Sequence, residues 1–414
     1  MRKPIYPGWW QVATVLTVQA VCSASIFTGY SIIAVALKAE FQPSNAQLMM
    51  GVMVVSMLSG VLSPVIGRAF DNFSIRLLMA LGGGFLGGGF LLLSFTSSML
   101  QVVAVYAVFM SMATILLGPI AASALLARWF DRRRGMAMGI AASGGALGGL
   151  LIPPLLQWLL QGMEWRMALR LYALITFLLT SPLILFLISN RPQDRNITPE
   201  PPGRQQPVIS PQASITTKTL LSQPRFWITS VVLGSLFAGP MGVVSNMVQF
   251  SGTKGITAAK AALLLSVISG ANFAGKLIVA SISDRISLKL ALSTMLVAMS
   301  LAMLGLWQLN QYAGIMAMVT LAGLAGGGTL PLWSLLISRL YGPAQIGKVM
   351  GAMSFVIMPF SMLAPPTFGW VYDQHQQYNV ALIGVMALLV TALALLSQIA
   401  TENQPAAAAK PMNS

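Results

Sequence analysis

Gly67-Arg68-Ala69-Phe70-Asp71-Asn72-Phe73-Ser74-Ile75-Arg76 is a short polar break between two long apolar runs. A second break, Ala280-Ser281-Ile282-Ser283-Asp284-Arg285-Ile286-Ser287-Leu288-Lys289, repeats its Asp, its Ser and its final cation at the same spacing. Further landmarks recur: Gly135, Gly139 and Pro153-Pro154 correspond to Gly347, Gly351 and Pro365-Pro366. Such long-range repetition implies two similar halves. Parallel halves are a pattern of secondary transporters, which place the substrate near the bilayer midplane between them.

The runs on either side of these breaks are long enough to cross a membrane, which takes about 20 mostly apolar residues. Twelve are expected, at roughly 10–37, 47–67, 76–97, 100–127, 135–160, 167–189, 226–250, 258–281, 288–308, 312–338, 347–371 and 378–399. The first is too long for a cleaved signal peptide and no small-residue cleavage site follows it. Residues 190–224 are polar and proline-rich, which reads as a linker. The expected fold is therefore an all-α integral membrane protein with twelve transmembrane helices. It is organised as a six-helix bundle over 1–189, a cytoplasmic linker over 190–224 and a second six-helix bundle over 225–414.

Composition points the same way. Of 414 residues, 56% are hydrophobic and only 8% are charged, against roughly a quarter charged in soluble domains. A soluble enzyme of this length could not cover its surface with so little charge. The net charge of +15 suits nucleic acid only if the cations share one soluble face, and they do not. Of the 24 Lys and Arg, five (Lys38, Arg166, Arg170, Lys254 and Lys260) fall on loops opposite the linker and Lys276 falls within a span; the rest lie on the linker side. By the positive-inside rule both termini are expected in the cytoplasm. One cysteine, Cys22, and one histidine, His375, leave no material for a disulfide, a metal cluster or a histidine triad. No catalytic residue, metal or cofactor is expected. Gly82-Gly83-Gly84-Phe85-Leu86-Gly87 has dinucleotide-loop spacing but lies within a span, where packing is its expected role.

With these features together, the chain resembles the major facilitator superfamily. The first break is similar to that superfamily's G-x-x-x-D-[RK]-x-G-R-[RK] loop: Gly67, Asp71 and Arg76 match, whereas Asn72 and Ser74 depart; Ala280 departs in the second copy, and Asp284, Arg285 and Lys289 keep the pattern. The resemblance implies gating ion pairs, placed by position at Asp71 with Arg128 and Asp284 with Arg339. Tyr6-Pro7-Gly8-Trp9-Trp10, the stretch from Arg128 to Gly144, and Tyr341 to Gly351 closing with Gly369-Trp370-Val371-Tyr372-Asp373 resemble the monocarboxylate transporter and oxalate:formate antiporter branch. That branch moves small organic anions with a proton or in exchange. On the residues alone, Trp9 and Trp10 also suit an interfacial anchor, and Arg132 to Arg134 a topological signal.

Lys276 is the one cation placed within a span, where a lysine is costly. The resemblance puts a carboxylate-binding cation, usually Arg, at this position. Lysine supplies a point charge in place of a bidentate fork. The branch's Asp one turn earlier is Asn272 here, and its span-one lysine is replaced by Ser31. One central cation suits one carboxylate, so a monocarboxylate is favoured over oxalate. Burial disfavours the charged form of a lysine, so a proton and an anion would cross together; anion exchange remains equally compatible. Snorkelling towards the linker side is the structural alternative. Tyr30, Asn246 and Asn272 are further substrate candidates, since the resemblance lines the cavity with spans one, four, seven and ten. The main rival is efflux of drugs or other hydrophobic compounds, against which no span carries a buried carboxylate, and span five lacks the proline of the antiporter signature. A transporter-like sensor would need an output domain, and none is recognisable. The expected partners are a small organic anion, with or without protons, and the lipid bilayer, with no nucleic acid; a monomer in a bacterial inner membrane is expected.

Overall fold

The computed structural model describes residues 6–130, 133–195, 197, 217–282, 287–341 and 346–398. These form twelve helices long and apolar enough to cross a membrane: α1 (Gly8–Phe41), α2 (Asn45–Phe70), α3 (Ile75–Leu93), α4 (Met99–Trp129), α5 (Met136–Gly162), α6 (Trp165–Leu187), α7 (Pro224–Ser245), α8 (Ala258–Val279), α9 (Leu288–Gln308), α10 (Tyr312–Tyr341), α11 (Val349–His375) and α12 (Asn379–Ser397). No strand occurs among the described residues. In hydrocarbon a helix satisfies its own backbone, which is why apolar runs of this length take that form.

The two polar breaks earn their serines. Ser74 Oγ accepts from Leu77 N at 3.4 Å and Ser287 Oγ accepts from Leu290 N at 3.3 Å, so each serine caps the span that follows it. Each final basic residue then contacts the end of the corresponding partner span, Arg76 through its backbone N, which donates to Asn190 Oδ1 at 3.0 Å beyond α6, and Lys289 through Nζ, which donates to the Ser397 carbonyl at 2.8 Å on α12. Correspondingly α3 packs on α6 and α9 on α12. The repeat is thus structural, two copies of one cap and one helix pairing. The dinucleotide-like glycines serve the first pairing. A Cβ at Gly83 would lie 2.4 Å from Ser181 Oγ, and one at Gly87 2.8 Å from Phe177 Cβ.

The described chain gathers into two compact units. The first comprises Met1–Val208, Met241–Gly270 and Met362–Tyr378; the second comprises Ile209–Pro240, Ala271–Ser361 and Asn379–Ser414. The grouping is not a simple cut at the linker, because the ends of α7, α8 and α11 remote from the linker pack within the first unit. Contacts there are close: a Cβ at Gly369 would meet the Asn45 carbonyl oxygen at 2.5 Å, and one at Gly149 would meet Ser269 Oγ at 2.2 Å.

At the linker side of the first unit, the two stretches most like the monocarboxylate branch meet each other. Tyr6 OH donates to the Trp129 carbonyl at 3.0 Å, and Trp9 and Tyr6 pack their rings on Phe130 at 5.1 and 5.5 Å. Trp129 Nε1 donates to the Ser189 carbonyl at 2.9 Å. Gln11 spans the same joint, giving a hydrogen bond to the Leu187 carbonyl at 2.9 Å and taking one from Ser189 N at 3.2 Å. Trp10 alone faces outward, 69% exposed, in the manner of an interfacial anchor. Gln11→Leu would leave two buried backbone groups unpaired, and we expect it to cost about 2–4 kcal/mol, read as a lower thermal midpoint in detergent; an unchanged midpoint would mean that water takes over both bonds.

Candidate substrate site

The four spans that the resemblance assigns to a cavity are all irregular. α1 carries a π-turn at Ala24–Thr28, and α4 carries another at Tyr106–Met110 followed by a break at Gly118. α7 is interrupted at Asn246, beyond which the short helix Met247–Thr253 continues, and α10 is interrupted at Gly328. Outside these four, α5 also breaks, at Ser143. Irregular backbone within a membrane is tolerated where protein or a cavity surrounds it, and π-turns concentrate at functional sites. Only Gly118-Pro119 advertised this in the sequence.

In the first unit Tyr30 is fully buried, its ring edge-to-face with Tyr106 at 4.9 Å and its hydroxyl donating to the Leu48 carbonyl. Its donor is therefore already engaged. Asn246 sits at the break of α7, also buried; Nδ2 donates to the carbonyls of Gly242 at 3.0 Å and Pro365 at 3.2 Å, while Oδ1 has no partner. Asn246 thus offers an acceptor, and an acceptor suits a hydroxyl or a protonated acid better than a carboxylate. Ser31, which stands where the branch has lysine, repairs the same break: Oγ accepts from Val248 N at 3.1 Å.

In the second unit Lys276 and Asn272 lie one turn apart on one face of α8. Lys276 is half-buried and makes no hydrogen bond or ion pair among the described residues. It stands six residues before the helix ends at Ile282, about 9 Å along the axis, so it lies towards the linker side of its span, off the centre that the run of sequence suggested. Its backbone is held tightly. A Cβ at Gly275 would lie 2.2 Å from the Leu324 carbonyl oxygen, and one at Gly327 2.1 Å from the Asn272 carbonyl oxygen. The two glycines let α8 and α10 touch backbone to backbone over the turn that leads into the lysine. Trp333 is buried in this unit against Phe237 at 6.2 Å, its Nε1 without a partner, whereas Phe355 is 73% exposed.

Of the expected gating pairs, Arg128 Nη2 donates to the Phe70 carbonyl at 2.8 Å, one residue before Asp71. The Asp71 side chain, and the whole of Asp284, lie outside the described residues, as do Arg285 and the loop at 342–345. Arg339 is half-buried near the end of α10. Among the described residues no cluster of three or more His, Cys, Asp or Glu exists that could hold a metal.

The family model described as Major Facilitator Superfamily matches residues 16–358 and 251–411, together nearly the whole chain. The chain belongs to the Major Facilitator Superfamily. Several curated relatives of this major facilitator are monocarboxylate transporters. Monocarboxylate transporter 12 of Xenopus laevis is 23% identical over 404 residues, covering 92% of this chain and 86% of that protein. Monocarboxylate transporter 13 of Bos taurus is 25% identical over 392 residues, covering 94% and 88%. MFS transporter asaE of Aspergillus flavus is 23% identical over 340 residues, covering 80% and 74%. Among solved structures, a bacterial homolog to the human lysosomal transporter Spinster, in an inward-facing and occupied conformation, aligns with a TM-score of 0.72 over 95% of this chain and 97% of that one at 12% identity, a likeness of fold alone. As a major facilitator the chain is a multi-pass membrane transporter, not an enzyme.

Sequence reasoning passed over one group of residues. At the end of α11 remote from the linker, Asp373 Oδ1 accepts from Asn45 N at 2.9 Å and from Asn45 Nδ2 at 2.6 Å, and Oδ2 accepts from Ala46 N at 2.9 Å. An acid in the last turn of a helix opposes that helix's own dipole. That misfit was the available signal that Asp373 serves another helix.

Proposed function

We propose that this major facilitator carries small organic anions, monocarboxylates foremost, by alternating access of its two six-span halves, 1–189 and 225–414, on either side of the 190–224 linker. The observation that carries the reading is Lys276: a half-buried cation within a span, without a hydrogen bond or ion pair among the described residues. A desolvated, unpaired charge is costly in a membrane unless a counter-charge arrives. A carboxylate supplies that charge, and Asn272 one turn away can donate to its second oxygen. A single lysine matches one carboxylate, and the names of several relatives agree with that cargo. Asn246 offers a hydroxyl or a protonated acid an acceptor at the break of α7, and Tyr30 joins only in a state that releases its hydroxyl from Leu48. Asp71 with Arg128 and Asp284 with Arg339 gate the linker side, consistent with Arg128 sitting on the carbonyl next to Asp71. Transport runs with a proton or against a second anion, through a monomer with both termini in the cytoplasm. A bacterial inner membrane is the reading of the compact loops; the relatives named above are eukaryotic.

The test is uptake of labelled lactate, pyruvate, formate and oxalate into liposomes carrying the purified protein, with and without an inward proton gradient and with counter-anion inside. We expect a monocarboxylate to accumulate and oxalate to lag. If no anion moves under gradient or exchange while apolar compounds are transported, the efflux reading replaces this one.

A further inference from the structure

We propose that Asp373 is a latch that holds closed the face of the carrier opposite the linker, by acting as the helix cap of α2. The inference rests on the alternating-access reading only for its use in transport.

Both carboxylate oxygens of Asp373 are spent on the first turn of α2. Those backbone N–H groups have no partner within their own helix, and a carboxylate at a helix N-terminus is the strongest common partner for them. The α2 start already has a cap of its own: Ser44 and Gln47 form a reciprocal capping box at 3.1 and 3.2 Å. Asp373 is therefore not needed to start the helix. It ties α2 to α11. Lys38 completes the knot, donating to Asn45 Oδ1 at 2.7 Å with its ammonium 5.4 Å from the Tyr372 ring centre.

Three further features say that this contact is built to close and to open. Gly369 allows the approach, because any Cβ there would collide with the Asn45 carbonyl and Ala46 N, at 2.5 and 2.8 Å. Behind Asp373, Tyr372 stacks on Tyr378 at 4.8 Å, and Tyr378 packs on Phe250 at 5.9 Å, a rigid platform for the carboxylate. Burial, with Tyr372 and Asp373 beside it, pushes the pKa of Tyr378 up, so the Tyr378 hydroxyl stays neutral. Yet the packing beneath leaves polar atoms unpaired: Ser245 Oγ, Asn246 Oδ1, Gln249 Nε2, Ser251 Oγ and Tyr378 OH. Buried orphans favour any state in which water or substrate reaches them. A closed face that carries this cost stays shut only if something holds it, and the charge-assisted Asp373 knot is placed to do so. A recess of about 450 Å³ lined by Val35, Lys38, Gln249, Thr253 and Tyr372 already opens beside it.

The experiment reads accessibility and needs no substrate. In a Cys22→Ser background, Ser245→Cys places a thiol one turn deeper than Gln249, at a buried position whose hydroxyl has no partner to lose. The thiol is titrated with a membrane-impermeant maleimide in liposomes. Asp373→Asn puts an amide donor against Ala46 N–H or Asn45, and Gly369→Ala wedges the same contact without touching a charge. Each is expected to raise the labelling rate about tenfold or more, the change expected for losing one charge-assisted bond. Labelling as slow in both as in the parent overturns the latch. Should Asp373→Asn not reach the membrane, Gly369→Ala and Asn45→Ala decide it alone. Failure of the carrier reading would appear separately, as absent anion flux with the labelling change intact.

Discussion

Lys276→Ala is expected to reduce monocarboxylate uptake to background while leaving the protein as stable as the parent or slightly more so. Both halves of that result follow from one fact. Lys276 has no hydrogen bond or ion pair among the described residues, so its charge contributes little to the fold and costs desolvation. Removing it should be neutral or favourable by about 1 kcal/mol, less than the roughly 2.5–3.5 kcal/mol of a mid-bilayer lysine because it lies towards the linker side. For a bound carboxylate the lysine is the full counter-charge away from the ends of α8, since Lys260 stands in its first turn. Losing a desolvated charged partner costs about 2–4 kcal/mol, or about 30- to 1,000-fold in affinity. Lys276→Arg should keep transport, since charge is retained and a fork is added. Uptake in the alanine variant at the parental rate would remove Lys276 from the site. A collapse of stability would mean that the lysine is a structural residue.

The second large effect is expected at glycines where backbones touch. A Cβ at Gly148 would fall 1.9 Å from the Ala20 carbonyl oxygen, and one at Gly144 2.3 Å from that of Leu16, so α5 rides directly on the backbone of α1. Backbone cannot step aside as a flexible side chain can. Gly148→Ala must part the two helices and should cost about 2–4 kcal/mol, seen as a lower thermal midpoint and poor recovery from membranes. Gly139→Ala, in the same span, meets nothing within 4 Å and should be neutral or stabilising by up to about 1 kcal/mol, because alanine is the better helix former. Equal behaviour of the two variants would mean that close approach does not matter in α5. Gly275→Ala should combine both kinds of effect, destabilising through Leu324 and displacing the neighbouring Lys276, so that uptake falls even in protein that remains folded.

The helices, their number and the repeat were legible because hydrocarbon imposes length and polarity run by run, and because Asp, Ser and cation recur at one spacing. The serine caps at Ser74 and Ser287 follow from that pattern. The breaks at Asn246 and Gly328 were not legible: neither residue differs from dozens of others except through the neighbours that support an interrupted backbone. Tyr30 looked available by type and position, yet its hydroxyl is taken by Leu48, a contact that depends on how α1 meets α2. Asp373 leaves one local trace, an acid in the last turn of its own helix, but that does not say which helix it caps, because Asn45 and Ala46 lie more than 300 residues away. Lys276 was found from rarity alone; its offset along α8 and its glycine supports required the fold.

The meeting of Tyr6, Trp9, Gln11, Trp129 and Phe130 has a consequence for sorting proteins of this kind. The stretches that most resemble monocarboxylate transporters are, in this molecule, a carpenter's joint between the entry of the chain and the turn after its fourth crossing. A joint reports how a scaffold is assembled and is indifferent to freight. Two carriers that share it share a building method, and under the function proposed above their cargoes are to be compared at positions 272 and 276.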